Sequence, residues 1–315
     1  MPDKPREVQM IRRDFLTMAL GATVASAALP SQVHPGAAAD ACGNFRLRYG
    51  VTQSGNYSLF DHLNDLSQIG FDYVEPTVTS VMALSEADFA ALRAKNDAGR
   101  IHVESMNVLL PGDLKVVGPD VDHSKLDPYI QQGLARANAL GTKIVVFGSG
   151  GARKVPDGFS QDQAWKQLVE FLQLMGNEID KHNYGFVIGI EALRKQESNI
   201  INTTADAYRL AVASGHPKIN IICDFFHLAS ENEDPKILHT VKDRLVHLHF
   251  ANECNNRSFP REVNECPGYA PYFKNLQEIG YQGRISIEAG TKDLVTDAPV
   301  ALGVLHKLYA NSCAG

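Results

Sequence analysis

From Arg46 onward, short apolar runs alternate with longer stretches whose apolar positions recur every three or four residues. The runs rich in Val, Ile, Phe and Tyr read as strands, and the stretches of helical period read as helices. The predicted strands are Leu47–Thr52, Tyr73–Glu75, His102–Val108, Lys143–Gly148, Phe186–Glu191, Ile219–Asp224, Leu245–Phe250 and Arg284–Glu288. Between them lie helical segments such as LFDHLNDLSQIG, SEADFAALRAKN, YIQQGLARANALG and QAWKQLVEFLQLMGNEIDKH. Ser85 with Asp88 three residues on marks a helix start, and Gly70 and Gly141 mark helix ends. Eight strands alternating with eight helical segments predict an α/β fold, a (β/α)8 or TIM barrel, formed by residues 42–315 as one domain. The alternative is a doubly wound open sheet. It would carry a Gly-rich nucleotide turn after its first strand, and VTQSGNYS is not one.

The first forty residues have a different pattern. Arg12 and Arg13 precede Phe15 and Leu16, a short apolar stretch runs from Met18 to Leu29, and PGAAADAC supplies small-residue cleavage sites. This stretch is too short and too rich in Ala and Thr for a membrane span. It resembles a twin-arginine export signal, which implies a leader over residues 1–41 and a periplasmic or secreted protein that folds before export. Lipidation at Cys42 is disfavoured, because Ala39 stands where a lipoprotein signal has Leu.

With 44% hydrophobic and 21% charged residues among 315, the composition is that of an ordinary globular protein. The net charge of −6 and the lack of a long Lys or Arg run argue against nucleic acid as a partner, since phosphate binding needs a basic footprint. A small neutral or weakly charged substrate fits better. The five cysteines, Cys42, Cys223, Cys254, Cys266 and Cys313, contain no CxxC pair, which argues against a thiolate zinc site. In a closed barrel the chain ends come together, so Cys42 and Cys313 are predicted partners. Cys254 and Cys266 are a second candidate pair within one loop, and Cys223 reads as a buried free thiol.

Chemistry concentrates at four consecutive strand ends. Glu191 closes one strand and Asp224 the next; His247 and His249 lie on the third, and Glu288 closes the last. In a barrel these ends share one face, where active sites sit. Three converging carboxylates would repel one another unless a cation lay among them. A set of carboxylate oxygens with one imidazole is a hard, mostly oxygen site, suited to one divalent ion: Mn²⁺ first, with Mg²⁺ or Co²⁺ as alternatives. Glu191 and Glu288 on opposite sides of such an ion form an acid/base pair able to invert a carbon next to a carbonyl.

The segments GIEALRKQESNIINT, CDFFHLASENEDP, HLHFANECNNRSFP and RISIEAG resemble the metal-site segments of the xylose-isomerase-like sugar isomerases and epimerases, with the ketose 3-epimerases as the nearest understood branch. The resemblance implies a carbohydrate substrate, metal ligands at Glu191, Asp224, His249 and Glu288, and catalysis by Glu191 and Glu288. It also implies substrate contacts from His227, Glu197 and Arg257. Two departures bear on the substrate. Arg194-Lys195 stands where the epimerases read Asn-Arg, and the loop from His249 to Arg257 is longer than theirs. Related barrels act on 3-keto-glycosides, where the same proton abstraction leads to elimination or hydration; a lyase or hydratase is therefore the alternative reading. A non-catalytic sugar-binding barrel is a further one, against which the second glutamate argues. A nuclease of the same superfamily would need more histidines. The sequence leaves open whether the chain forms homo-oligomers.

Three other features carry expectations. FGSGGARKVPDGF lacks a phosphate-loop pattern and reads as a tight loop at the catalytic face, with contact from Arg153 and Lys154 to a substrate oxygen left open. Asn107–Asp122 is long enough to serve as a lid. Glu75 ends its strand as the candidate ligands do, and reads either as a substrate contact or as a structural hydrogen-bonder. Trp165 reads as packing.

Overall fold

The computed structural model of the chain describes residues 46–53 and 57–313. The expected leader, 1–41, and Cys42 lie outside them. Nine strands, all parallel, form one sheet: β1 (Arg48–Thr52), β2 (Tyr73–Glu75), β3 (His102–Val103), β4 (Ser105–Met106), β5 (Ile144–Phe147), β6 (Val187–Ile190), β7 (Ile219–Asp224), β8 (Leu245–Phe250) and β9 (Arg284–Ile287). Their order is β3-β2-β1-β9-β8-β7-β6-β5-β4. The predicted strand His102–Val108 is thus two short strands, broken at Glu104. One half pairs with β2 and the other with β5, so both edges of the sheet meet at a single segment and the barrel nearly closes. At the break Glu104 N–H donates to the Val74 carbonyl (3.4 Å) and its own carbonyl accepts from Lys143 and Ile144 N–H (2.8 and 3.3 Å). Its side chain accepts from Arg48 Nε (3.1 Å) at the start of β1 and from Arg284 Nε (2.7 Å) at the start of β9.

Side-chain alternation separates two layers. Along β5, Ile144 and Val146 join Ile222 in a small apolar cluster inside the barrel, whereas Val145 and Phe147 belong to the large core between strands and helices. Helices Glu86–Ala98, His123–Ala139, Gln161–Lys181, Thr204–Ser214 and Leu294–Cys313 cover that outer layer. Their ends follow the expected signals. Ser85 Oγ accepts from Asp88 N–H, and Gly70, in the left-handed region at φ 111°, closes the helix Leu63–Ile69. Thr203 and Asp206 add a reciprocal capping box. Trp165 packs against the core, as expected.

Several short helices escaped the sequence pattern. One, Phe225–Ser230, follows β7 directly and is capped by Asp224, whose Oδ1 accepts from Phe226 N–H at 2.8 Å. The segment Asn107–Asp122 is less free than a lid: Leu109, Leu110, Val116 and Val117 are buried in the core. Cys223 is a buried free thiol, as expected. Cys254 and Cys266, a predicted bridge, are both free. Cys313 is disulfide-bonded. Among the described residues no helix is long and apolar enough to cross a membrane.

Candidate active site

Alternation also aims the polar residues. Glu191 follows Val187 and Gly189 at steps of two, Asp224 follows Ile222, His249 follows His247, and Glu288 follows Arg284 and Ser286. Side chains two apart on a strand share a face, so all four turn into the barrel at the carboxyl ends of β6–β9. Their ligand atoms, one per residue, lie within 4.8 Å of one another. Nδ1 of His249 is 3.2 Å from Glu191 Oε1 and 3.0 Å from Glu288 Oε2. Gly148, at the end of β5, makes room for this cluster: a Cβ there would stand 2.0 Å from Glu191 Oε2.

The other nitrogen of His249 is also held. Nε2 lies 2.9 Å from Glu75 Oε1, while Glu75 Oε2 accepts from His247 Nε2 (2.8 Å) and from the Ser286 hydroxyl. Tyr73 extends this chain through its hydroxyl, 2.8 Å from Ser286 Oγ. All five side chains are fully buried. Glu75 is therefore a buried anchor and not a substrate contact. Burial opposes its charge, but the two histidines overcome this and hold its carboxyl well below the usual range. Glu75, His247 and His249 also have metal-ligating spacing. Both Glu75 oxygens are already taken by donors, whereas Nδ1 of the buried His247 has no hydrogen-bond partner.

The three carboxylates of the cluster differ. Burial pushes Asp224 up to about 6, with the charge of Glu288 adding and Arg257 opposing. Burial, then Glu288, raises Glu191. At Glu288 burial acts upward too, but Arg257 and His249 prevail and hold it well below the usual range. Arg257 reaches into the cluster: its Nη2 donates to Asp224 Oδ2 (3.0 Å) and to Glu288 Oε2. Its backbone is left-handed at φ 56°, directly after Asn256 at φ 50°. That turn aims the guanidinium inward while its carbonyl accepts from Gly290 N–H at 2.8 Å. Asn107 adds a donor the sequence did not flag, with Nδ2 3.0 Å from Glu288 Oε1.

The predicted substrate residues gather beside the cluster. His227 is buried; its Nδ1 accepts from Arg194 N–H at 3.3 Å, which in the neutral ring leaves the proton on Nε2. That nitrogen is 3.4 Å from Asp224 Oδ2 and 4.0 Å from Glu197 Oε2, and it makes no hydrogen bond. Burial lowers the pKa of His227 and keeps the ring neutral. Glu197 accepts from Arg194 Nε at 2.7 Å and lies 3.8 Å from Arg257 Nη1. Arg194 and Arg257 both lie over the ring of Phe226, at 4.8 and 4.9 Å. Arg153 is not placed for the contact left open to it. It is fully buried, donates to the carbonyls of Phe147 (3.1 Å) and Ile201 (3.5 Å), and fastens two loops; Lys154 is exposed.

With that geometry in place, the comparisons define the class. The profile of the xylose isomerase-like TIM barrel family matches residues 63–307, and the chain belongs to that family. It is 32% identical over 105 residues to 3-dehydro-D-guloside 4-epimerase of Escherichia coli (strain K12), covering 33% of this chain and 38% of that one. It is 25% identical over 182 residues to an inosose dehydratase of Lacticaseibacillus casei, covering 48% and 59%. The matched segments thus span less than two thirds of these relatives. A crystal structure of D-allulose 3-epimerase from Methylomonas sp. superposes with a TM-score of 0.72 at 20% identity, over 84% of this chain and 98% of that one.

Proposed function

We propose that this chain is a metal-dependent enzyme that removes a proton from a carbon next to a sugar carbonyl, with epimerisation as the outcome. The observation that carries this reading is the convergence of Glu191, Asp224, His249 and Glu288 within 4.8 Å at one end of the barrel. The residues fit a hard divalent ion. Three carboxylates supply oxygen, and the Glu75 anchor on Nε2 leaves Nδ1 of His249 turned toward them, so that a bound ion would take the place of the Nδ1 proton that the carboxylates hold there, the arrangement common to metal-ligating histidines. The lack of a side chain at Gly148 keeps that space open. Mn²⁺ suits the donor set best, with Mg²⁺ or Co²⁺ as alternatives. When bound, the ion would supply positive charge beside the carbonyl oxygen as the proton leaves.

The chain's own residues would divide the rest of the work. Glu191 and Glu288, 3.2 and 3.0 Å from His249 Nδ1, would serve as the acid/base pair, one taking the proton and the other returning it on the opposite face of the sugar carbon. His227 has a free Nε2–H to donate to a substrate oxygen. Arg257 and Glu197 orient neighbouring hydroxyls, and Asn107 steadies Glu288.

The relatives' names support the substrate class. A 3-dehydro-guloside epimerised at C4 and a dehydrated inosose both react next to a ketone. The dehydratase, together with Arg194 at the rim, favours water elimination from a keto-glycoside as the second reading. The deciding experiment incubates metal-loaded protein with free ketoses and with 3-keto-glycosides in D₂O. Deuterium incorporation with retained mass otherwise supports the epimerase, and loss of water supports the lyase. No exchange with either class would overturn proton abstraction. The leader would send the folded protein to the periplasm, which cell fractionation of an expressing strain tests.

A further inference from the structure

Beyond the two groups inside the barrel, a third group of side chains in the described residues has metal-ligating geometry. Glu253, Cys254 and Cys266 present ligand atoms within 4.8 Å of one another in the loop after β8. The sequence hid this trio, because eleven residues separate the thiols and no CxxC signals them. We propose that it is a second site, for a thiophilic divalent cation of the zinc type, distinct from the hard-ion site at Glu191.

The surroundings of the trio favour a cation over a simple thiol pair. Glu253 Oε2 is buried and has no hydrogen-bond partner. Leaving such a carboxylate oxygen unpaired is costly. A disulfide between the two sulfurs would leave this orphan as it is. A cation takes the carboxylate oxygen directly. Gly268 gives Glu253 its space, since a Cβ there would lie 3.3 Å from Glu253 Oε1 and 3.0 Å from the Phe225 ring. Asn252 Oδ1 fixes the frame by accepting from Cys254 N–H (2.9 Å) and Asn255 N–H (3.0 Å), and Cys254 N–H also lies 3.2 Å from Cys266 Sγ. The proton that the Cys266 thiol donates to Asn252 (3.0 Å) is one of those the ion would displace.

Two sulfurs and a carboxylate oxygen form a soft to borderline set, which selects zinc or cadmium over manganese or magnesium. Across a tetrahedral ion with 2.3 Å bonds, sulfurs stand about 3.8 Å apart, so the trio needs a contraction of no more than about 1 Å. Cys254 is exposed and gives the ion its entry path; a water completes the fourth position. On binding, each thiol loses its proton to solvent, so two protons leave for one dication that enters. The ion would pin the turn that carries Arg257, three residues after Cys254.

The test uses the full, reduced, demetallated protein titrated with Cd²⁺, reading the ultraviolet cadmium–thiolate charge-transfer band. The cluster at Glu191 contains no sulfur and is silent in this readout, so failure here is distinguishable from failure of the proposed activity. The expected result is a saturable band in the wild type, lost in Cys254→Ser and Cys266→Ser, with weaker binding in Glu253→Gln. Cys254→Ser alters an exposed position and keeps the test valid if Cys266→Ser misfolds. Absence of the band with both thiols titrating as free overturns the proposal. So does peptide mapping of freshly purified protein that finds Cys254 bridged to Cys266.

Discussion

Nε2 of His249 lies 2.9 Å from Oε1 of Glu75, on the far side of the imidazole from the carboxylate cluster. The ring is thus a relay in position: one nitrogen is anchored in the barrel, and the other faces the site. Glu75→Gln removes the charge and offers one acceptor where two histidines and a serine need acceptors. The expected outcome is a loss of Mn²⁺ affinity of about 10–100-fold, measured by calorimetric titration. Tyr73→Phe, which only shortens the same chain, should retain affinity near wild type. Equal losses in both variants would mean that general packing, and not the anchor, sets the affinity.

Glu191→Gln and Glu288→Gln should each cost about 10²–10⁴-fold in turnover, the usual range for a positioned acid or base. Melting temperature should hold in Glu191→Gln, which relieves repulsion among converging carboxylates, and fall modestly in Glu288→Gln, which gives up the ion pairs with Arg257 and His249. A variant with a normal melt and near wild-type turnover would refute the two-base assignment.

Chelation gives a coarser check. Protein treated with EDTA should lose activity and regain it with Mn²⁺ or Co²⁺. Full turnover in a sample that elemental analysis finds metal-free would remove the ion from the mechanism.

Gly148→Ala tests the space beside Glu191. With the new Cβ 2.0 Å from Oε2, the carboxylate must swing away. Overpacking of this kind costs about 1–3 kcal/mol, so the protein should still fold while metal affinity and turnover fall together. Unchanged affinity would show that Glu191 can bind from another rotamer.

The thiols should differ sharply in reactivity. Burial pushes Cys223 up to about 12, so in metal-free, reduced protein iodoacetamide should label exposed Cys254 and spare Cys223 until unfolding. Mass mapping also checks that Cys313 is bridged in the native protein. Early labelling of Cys223 would contradict the burial of β7.

Much of this was legible in the sequence because strand ends are simple to read. Two-residue periodicity puts Glu191, Asp224, His249 and Glu288 at the same end and on the same face, and no long-range contact is needed to infer it. The partners of these groups were not legible. A carboxylate at a strand end looks the same whether it faces a substrate or two histidines from the opposite wall, so Glu75 stayed ambiguous until β2 and β8 were placed together. Arg153 resembled a surface cation in a glycine-rich loop, and only the fold shows it turned inward onto carbonyl oxygens. Asp224 carries two roles at once, since one oxygen caps the helix Phe225–Ser230 and the other faces the site. That helix is too short to announce itself by periodicity.

The interruption at Glu104 has a mechanical consequence. β3 and β4 each contribute only two registered residue pairs to their neighbours, against six-residue strands such as β7 and β8 on the other side of the ring. Local opening begins where a ladder is thinnest, so the amide of Met106 is expected to exchange with solvent deuterium ahead of those in β7. The same segment leads straight into Asn107, which holds Glu288. A barrel that opens first at this seam would open beside one of its two proposed bases, and stiffening the seam should then alter how often Glu288 stands ready without changing any residue that touches it.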